Sequence, residues 1–246
     1  MLFEKENSEA QASVEVRSAE PLSFAASEAY KRLRTNVMYS LPVSEEESCR
    51  VIGITSALRG EGKSTTTINL AFSLAEAGKK VILIEADMRL PNIAKRLEIS
   101  QTPGLSDFLV SAGSNLPIIK RLAEPSNLCV IAAGNVPPNP SELLSSDRME
   151  NLLKVLTKQF EYILIDLPPI GAVTDAVVIS RLTDGMIIVV REDYGNKRAL
   201  ADAVRQLKIA KAKVLGFVVN DTKSLSGVSG GKGHYYGGYE KAAENV

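Results

Sequence analysis

The stretch Val51-Ile52-Gly53-Ile54-Thr55, followed by Ser56-Ala57-Leu58-Arg59-Gly60-Glu61-Gly62-Lys63-Ser64-Thr65 and then TTTINLAFSLAEAG from Thr65 onward, decides how the chain is read. A short apolar strand runs into a glycine-bearing loop and then into a helix. Gly60 and Gly62 allow a tight turn in which successive N–H groups converge on an anion. The helix N-terminus adds its partial positive charge. Lys63 reaches toward the outer phosphates of a nucleotide, and the Ser64 hydroxyl suits Mg²⁺. The pattern is GxxxxGK[ST] with one departure, since Ala57 stands where the first glycine is usual. Strand, loop, Lys-Ser and helix come in the required order, which disfavours a glycine-rich turn with no ligand. The candidate nucleotide contacts are therefore Gly60, Glu61, Gly62, Lys63, Ser64 and Thr65.

Outward from this loop, short runs rich in Val and Ile alternate with amphipathic segments. The runs are Val51–Thr55, Val81–Ile84, Leu128–Ala132, Tyr162–Ile165, Met186–Val190 and Val214–Val219. Each is apolar on both faces, as strands buried in a parallel sheet are. Helices are expected near 63–77, 91–98, 105–111, 142–158, 174–182 and 197–210. An earlier one runs from Ser27, as N-cap, to about Leu41, with Tyr30, Leu33, Val37 and Leu41 as its stripe. The alternation predicts an α/β fold with a doubly wound, mostly parallel sheet. Ligands in such sheets bind outside the carboxyl ends of the strands.

Acids stand at two of those ends. One strand closes in Ile84-Glu85-Ala86-Asp87-Met88-Arg89, another in Ile165-Asp166-Leu167-Pro168-Pro169. Asp166 follows its apolar strand as a Walker B acid does and would hold Mg²⁺ directly or through water. Glu85 and Asp87 are two apart, so on a continuing strand they share a face. Mg²⁺ retains waters and takes one or two carboxylates, which leaves one acid to act on a nucleophile. The candidate metal ligands are Ser64, Asp87 and Asp166; the candidate catalytic residues are Lys63, Glu85 and Asp87. Arg59 and Arg89 lie close enough in sequence to touch phosphate or a neighbour, and equally read as surface charge.

The 246 residues divide into a polar N-terminal segment (1–24) that reads as flexible, one domain (25–222), and a flexible Gly/Tyr-rich tail (223–246). Lys plus Arg and Asp plus Glu both number 29, so no net field recruits nucleic acid. No apolar run reaches the ~18–20 residues of a membrane span. Cys49 and Cys129 read as reduced, buried small hydrophobes. The tail SLSGVSGGKGHYYGGY (224–239) holds Tyr235, Tyr236, Tyr239 and His234, the only histidine. Tyr236 lies 16 residues beyond Asn220, within reach of roughly 20–25 Å for a glycine-rich coil, enough for the chain's own site or an adjacent one.

GEGKST, EADMRLP, Pro137–Leu144 (PPNPSELL) and ILIDLPP together resemble the bacterial protein-tyrosine kinases of capsule and exopolysaccharide operons, the CpsD/CapB type. The likeness covers about residues 20–240. It implies a P-loop NTPase of the ParA/MinD-like (deviant Walker) class that uses ATP and Mg²⁺. It also implies that tail tyrosines Tyr235, Tyr236 and Tyr239 accept phosphate from a neighbouring protomer in a ring-shaped homo-oligomer. Glu28, Lys31 and Arg34 resemble the family's E-x-x-R-x-x-R oligomerisation motif, with Lys31 in the middle place; without the likeness they read as a solvated charged face. By position Glu85 falls where the family has an Asp acting as base, and Asp87 and Asp166 fall on its Mg²⁺-associated acids. Implied partners are a membrane polysaccharide co-polymerase of the Wzz (CpsC/CapA) type, a tyrosine phosphatase and other protein substrates. The implied place is the cytoplasm, at the inner face of the membrane beside that activator. The rival is a ParA/MinD-like ATPase switch without kinase activity. Such proteins usually carry a lysine where Leu58 stands, and a MinD-like one ends in an amphipathic helix.

Overall fold

The computed structural model describes residues 22–41, 49–111 and 116–222. The acidic stretch SEEES at 44–48, most of the N-terminal segment and the tail with its three tyrosines lie outside them. Within them, seven strands form one sheet: β1 (Arg50–Ser56), β2 (Val81–Glu85), β3 (Lys120–Arg121), β4 (Leu128–Ile131), β5 (Tyr162–Asp166), β6 (Gly185–Arg191) and β7 (Val214–Asn220). Their order is β3-β4-β2-β5-β1-β6-β7. All pairings are parallel except that of β3 with β4.

Every residue of β1, β2, β4 and β5 is buried, which is why these strands lack a polar alternation. Helices α1 (Phe24–Ser40), α2 (Lys63–Glu76) and α3 (Ile93–Arg96) cover one face. There Ile52 and Ile54 meet Ile68, Leu70 and Leu74. The other face packs against α4 (Leu105–Val110), α5 (Pro140–Leu144), α6 (Asp147–Leu156), α7 (Asp175–Ile179) and α8 (Lys197–Ile209). Cys49 and Cys129 are free and buried in this second layer.

Four local expectations are corrected. The first helix starts earlier than Ser27, because the Ser23 hydroxyl caps it by accepting the Ala26 N–H at 3.3 Å. The single helix expected over 142–158 is two. Ser145 closes α5, and Ser146 starts α6 as its N-cap with Asp147 and Glu150 in the first turn. β3 was not expected at all. The strand β2 stops at Glu85, so Asp87 lies in the loop beyond it and does not share a strand face with Glu85.

Candidate active site

The loop between β1 and α2 has the conformation its glycines permit. Gly60 sits at φ +84° and Gly62 at φ +94°, in the left-handed region. A Cβ on Gly62 would fall 1.9 Å from the Asn220 amide nitrogen, and one on Gly60 would fall 3.3 Å from the Tyr194 hydroxyl. The Asn220 amide donates to the Glu61 carbonyl at 3.1 Å, which ties the end of β7 to the loop. Sequence reading missed both Asn220 and Tyr194, since neither belongs to a local pattern. The Glu61 carboxylate points inward and accepts the Leu58 N–H at 2.7 Å. Of Glu61, that leaves only its backbone for a ligand. Ala57 in place of glycine is accommodated as a buried residue whose carbonyl accepts the Gly171 N–H at 3.2 Å.

Lys63, Ser64, Asp87 and Asp166 meet in one nearly closed cluster. Lys63 Nζ lies 2.8 Å from Asp87 Oδ2 and 3.4 Å from Asp166 Oδ2. Ser64 Oγ donates to Asp166 Oδ2 at 2.6 Å, and Thr67 Oγ1 lies 3.3 Å from Asp166 Oδ1. Asp166 is fully buried, and burial raises its pKa against the lowering pull of Lys63. Burial alone would lower the Lys63 pKa, but Asp166 and Asp87 outweigh it and the net shift is upward. One ammonium faces two carboxylates, so the cluster carries surplus negative charge. A hydroxyl and two carboxylates are hard oxygen donors of the kind Mg²⁺ takes. The positive-φ glycines let the loop backbone turn so that successive amides can converge on a phosphate chain.

Glu85 is placed differently from the expectation of a base. It has no exposure to solvent. Its Oε1 accepts the N–H groups of Asn92 (2.5 Å) and Ile93 (2.6 Å), and its Oε2 accepts that of Ala133 at 3.2 Å. Burial raises its pKa while these three amides lower it. Both oxygens are occupied by the start of α3 and the end of β4, and neither faces Lys63. Asp87 is the acid of this motif that does.

Arg89 is likewise committed. Its Nε and one terminal nitrogen contact the two Asp175 carboxylate oxygens at 3.0 and 3.1 Å, and Ser141 donates to the same carboxylate. Asp175 is fully buried at the start of α7. This clasp holds the loop after β2, the PPNPSELL segment and α7 together. Arg59 is exposed. On α1, Lys31 pairs with Glu28 at 2.7 Å. Arg34 donates to the Ser73 carbonyl on α2 at 2.8 Å, so within the chain it fastens α1 to α2. Among the described residues no group of three or more His, Cys, Asp or Glu forms a metal-binding cluster, and no helix is long and apolar enough to cross a membrane.

The family model that matches residues 48–245 is ParA, described as NUBPL iron-transfer P-loop NTPase. The chain is 36% identical over 208 residues to tyrosine-protein kinase YwqD of Bacillus subtilis, covering 85% of this chain and 86% of that one. It is 39% identical over 198 residues to tyrosine-protein kinase CpsD of Streptococcus pneumoniae, covering 79% and 84%. Among solved structures it resembles the chimerical protein CapA2B2, with TM-score 0.75, 32% identity, and coverage of 82% and 87%. Iron–sulfur ligation uses sets of cysteine thiolates. This sequence has two cysteines, and burial pushes the Cys49 thiol up to about 12 and raises that of Cys129, which keeps both protonated.

Proposed function

The chain belongs to the ParA-type P-loop NTPases and, within them, to the bacterial tyrosine-protein kinases; from that premise we propose that it is an ATP- and Mg²⁺-dependent tyrosine autokinase acting on its own tail in capsular or exopolysaccharide synthesis. The observation that carries the reading is the buried Lys63–Asp87–Asp166 cluster at the mouth of the glycine loop.

Phosphoryl transfer asks a protein chiefly for positioning and neutralisation of charge. Lys63 and the loop amides hold the phosphate chain, with Ser64 and Thr65 at the first turn of α2. Ser64 and Asp166 would hold Mg²⁺, which when bound neutralises charge on the phosphates, and this leaves Asp87 as the acid to act on a nucleophile. Lys63 and Ser64, which now contact Asp87 and Asp166, would turn toward the phosphates and metal and so release the Asp87 carboxylate. A tyrosine hydroxyl with pKa of about 10 is a weak nucleophile at neutral pH and gains from a nearby carboxylate. Asp87 fills that place better than Glu85, whose oxygens are held by amides. The phenolic oxygen bonds to the γ-phosphorus, the bridging bond to the β-phosphate breaks, the proton passes to the carboxylate, and ADP leaves.

Tyr235, Tyr236 and Tyr239 are the proposed acceptors, reached from a neighbouring protomer in a ring. Glu28 and Lys31 offer an exposed face of α1 for that contact, while Arg34 supports it from behind. A CapA/CpsC-type membrane activator is the proposed partner, a reading supported by likeness to the CapA2B2 chimera. Phosphopeptide mapping tests the acceptors. Replacing all three tail tyrosines with Phe removes most incorporated phosphate and leaves nucleotide binding intact; undiminished label would move the acceptor elsewhere.

A further inference from the structure

Glu85 does more than fill space. Its carboxylate grips the amides of Asn92 and Ile93, which open α3, at 2.5 and 2.6 Å, and it anchors that helix to Ala133 at the end of β4. α3 is a single turn, so gripping its first amides fixes the whole element. Its inner side is locked by Ile93 and Ala94 in the core, with Leu97 just beyond. Its last residue, Arg96, points the other way. The Arg96 guanidinium donates to Thr65 Oγ1 at 2.7 Å. Thr65 is the third residue of α2, directly after Lys63 and Ser64 in the turn whose free amides face the phosphate loop.

Arg96 is exposed and forms no ion pair among the described residues; its partner is a neutral hydroxyl. A guanidinium held at the rim of a phosphate loop without a carboxylate of its own suits a polyanion, to which it offers forked donors. Lys63, by contrast, is already matched to acids. We propose that Arg96 contacts the phosphate chain of the bound nucleotide and that Glu85 is the residue that positions it, by fixing α3 so that Arg96 lies over Thr65. The inference rests on the nucleotide-site reading above and deepens it. It makes Arg96 a binding residue and Glu85 a positioning residue acting through it.

The test is a binding titration, separate from any phosphate transfer. A fluorescent ADP analogue with Mg²⁺ is titrated into the full chain and into Arg96→Ala, Arg96→Lys, Glu85→Gln and the Glu85→Gln/Arg96→Ala double variant. Arg96→Ala weakens binding about tenfold, the size of a lost charge-assisted hydrogen bond. Arg96→Lys recovers part of the loss, because a point charge remains without the fork. Glu85→Gln weakens binding in the wild-type background but by less than about twofold once Arg96 is Ala, since coupled residues are not additive. If Glu85→Gln does not fold, Glu85→Asp enters the same cycle. Equal affinity of wild type and Arg96→Ala overturns the inference while leaving the nucleotide site standing. Independent, multiplying effects of the two changes overturn the positioning role. A wild-type chain that does not bind the probe overturns the site and this inference together.

Discussion

Two charge clusters, one buried and one reaching the surface through Arg89, lie within a few residues of each other after β2, and they are built on different arithmetic. At Asp87 one ammonium, Lys63, faces two carboxylates, and Asp166 is so buried that its pKa rises despite that cation. At Arg89 one guanidinium faces one carboxylate, Asp175, through two hydrogen bonds, with Ser141 donating to the same carboxylate. The first cluster is left wanting a cation. The second is closed. An unbalanced buried cluster is costly unless something else binds there, whereas a balanced and hydrogen-bonded one holds elements together. On the proposed function, the contrast separates residues that would serve the reaction from residues that serve the scaffold, although Asp87 and Arg89 both come from the seven-residue stretch EADMRLP.

The largest expected effect falls on the unbalanced side. Lys63→Met lowers phosphate transfer by about 100- to 1,000-fold, as loss of a preorganised charge donor does, measured by initial rates with saturating ATP. Asp166→Asn also removes transfer, yet it leaves one carboxylate for one ammonium. Its melting temperature in metal-free buffer therefore stays level or rises; a marked fall would mean that the surplus charge is needed for folding. The same residue gives a pH signature. Its folded-state pKa lies above the ordinary carboxylate value, so its contribution to stability is complete below that value and is lost as pH rises through the folded one. Urea melts across this range should show a decline that Asp166→Asn flattens.

On the closed side the sign reverses. Arg89→Ala strands the Asp175 carboxylate in the core with Ser141 alone and costs about 1–3 kcal/mol of stability, discounted from a fully buried pair because Arg89 is partly exposed. Its nucleotide affinity should hold; a selective loss of affinity at full stability would place Arg89 in the site after all. Ser141→Ala removes two hydrogen bonds, one donated to Asp175 and one accepted from Arg89, and costs about 1–2 kcal/mol by the same denaturation assay.

Much of this was legible because it is local. The central strands show as unbroken apolar runs, and the phosphate loop carries its glycines, lysine and serine in adjacent positions. The cluster of Lys63 with Asp87 and Asp166 follows from strand-end placement in a parallel sheet, where β2, β5 and β1 lie side by side. What could not be read depends on distant partners. Asp175 looks like an ordinary acid in a helix first turn, and only the fold brings Arg89 to it from 86 residues away. Glu85 and Asp87 look equivalent at a spacing of two until β2 ends between them and sends their side chains to different neighbours. β3 is two residues long, too short for any period to show. Arg34 matches a motif for contact between protomers, yet its guanidinium finds Ser73 on the helix behind it.

The central claim is that the unbalanced cluster drives transfer to tyrosine and does more than hydrolyse nucleotide. Purified protein incubated with γ-labelled ATP and Mg²⁺, with and without the activator's cytoplasmic segment, tests it directly. The account predicts label on tyrosine that disappears in Lys63→Met. Release of free phosphate with no phosphotyrosine in either condition would contradict it and would make the chain a nucleotide switch.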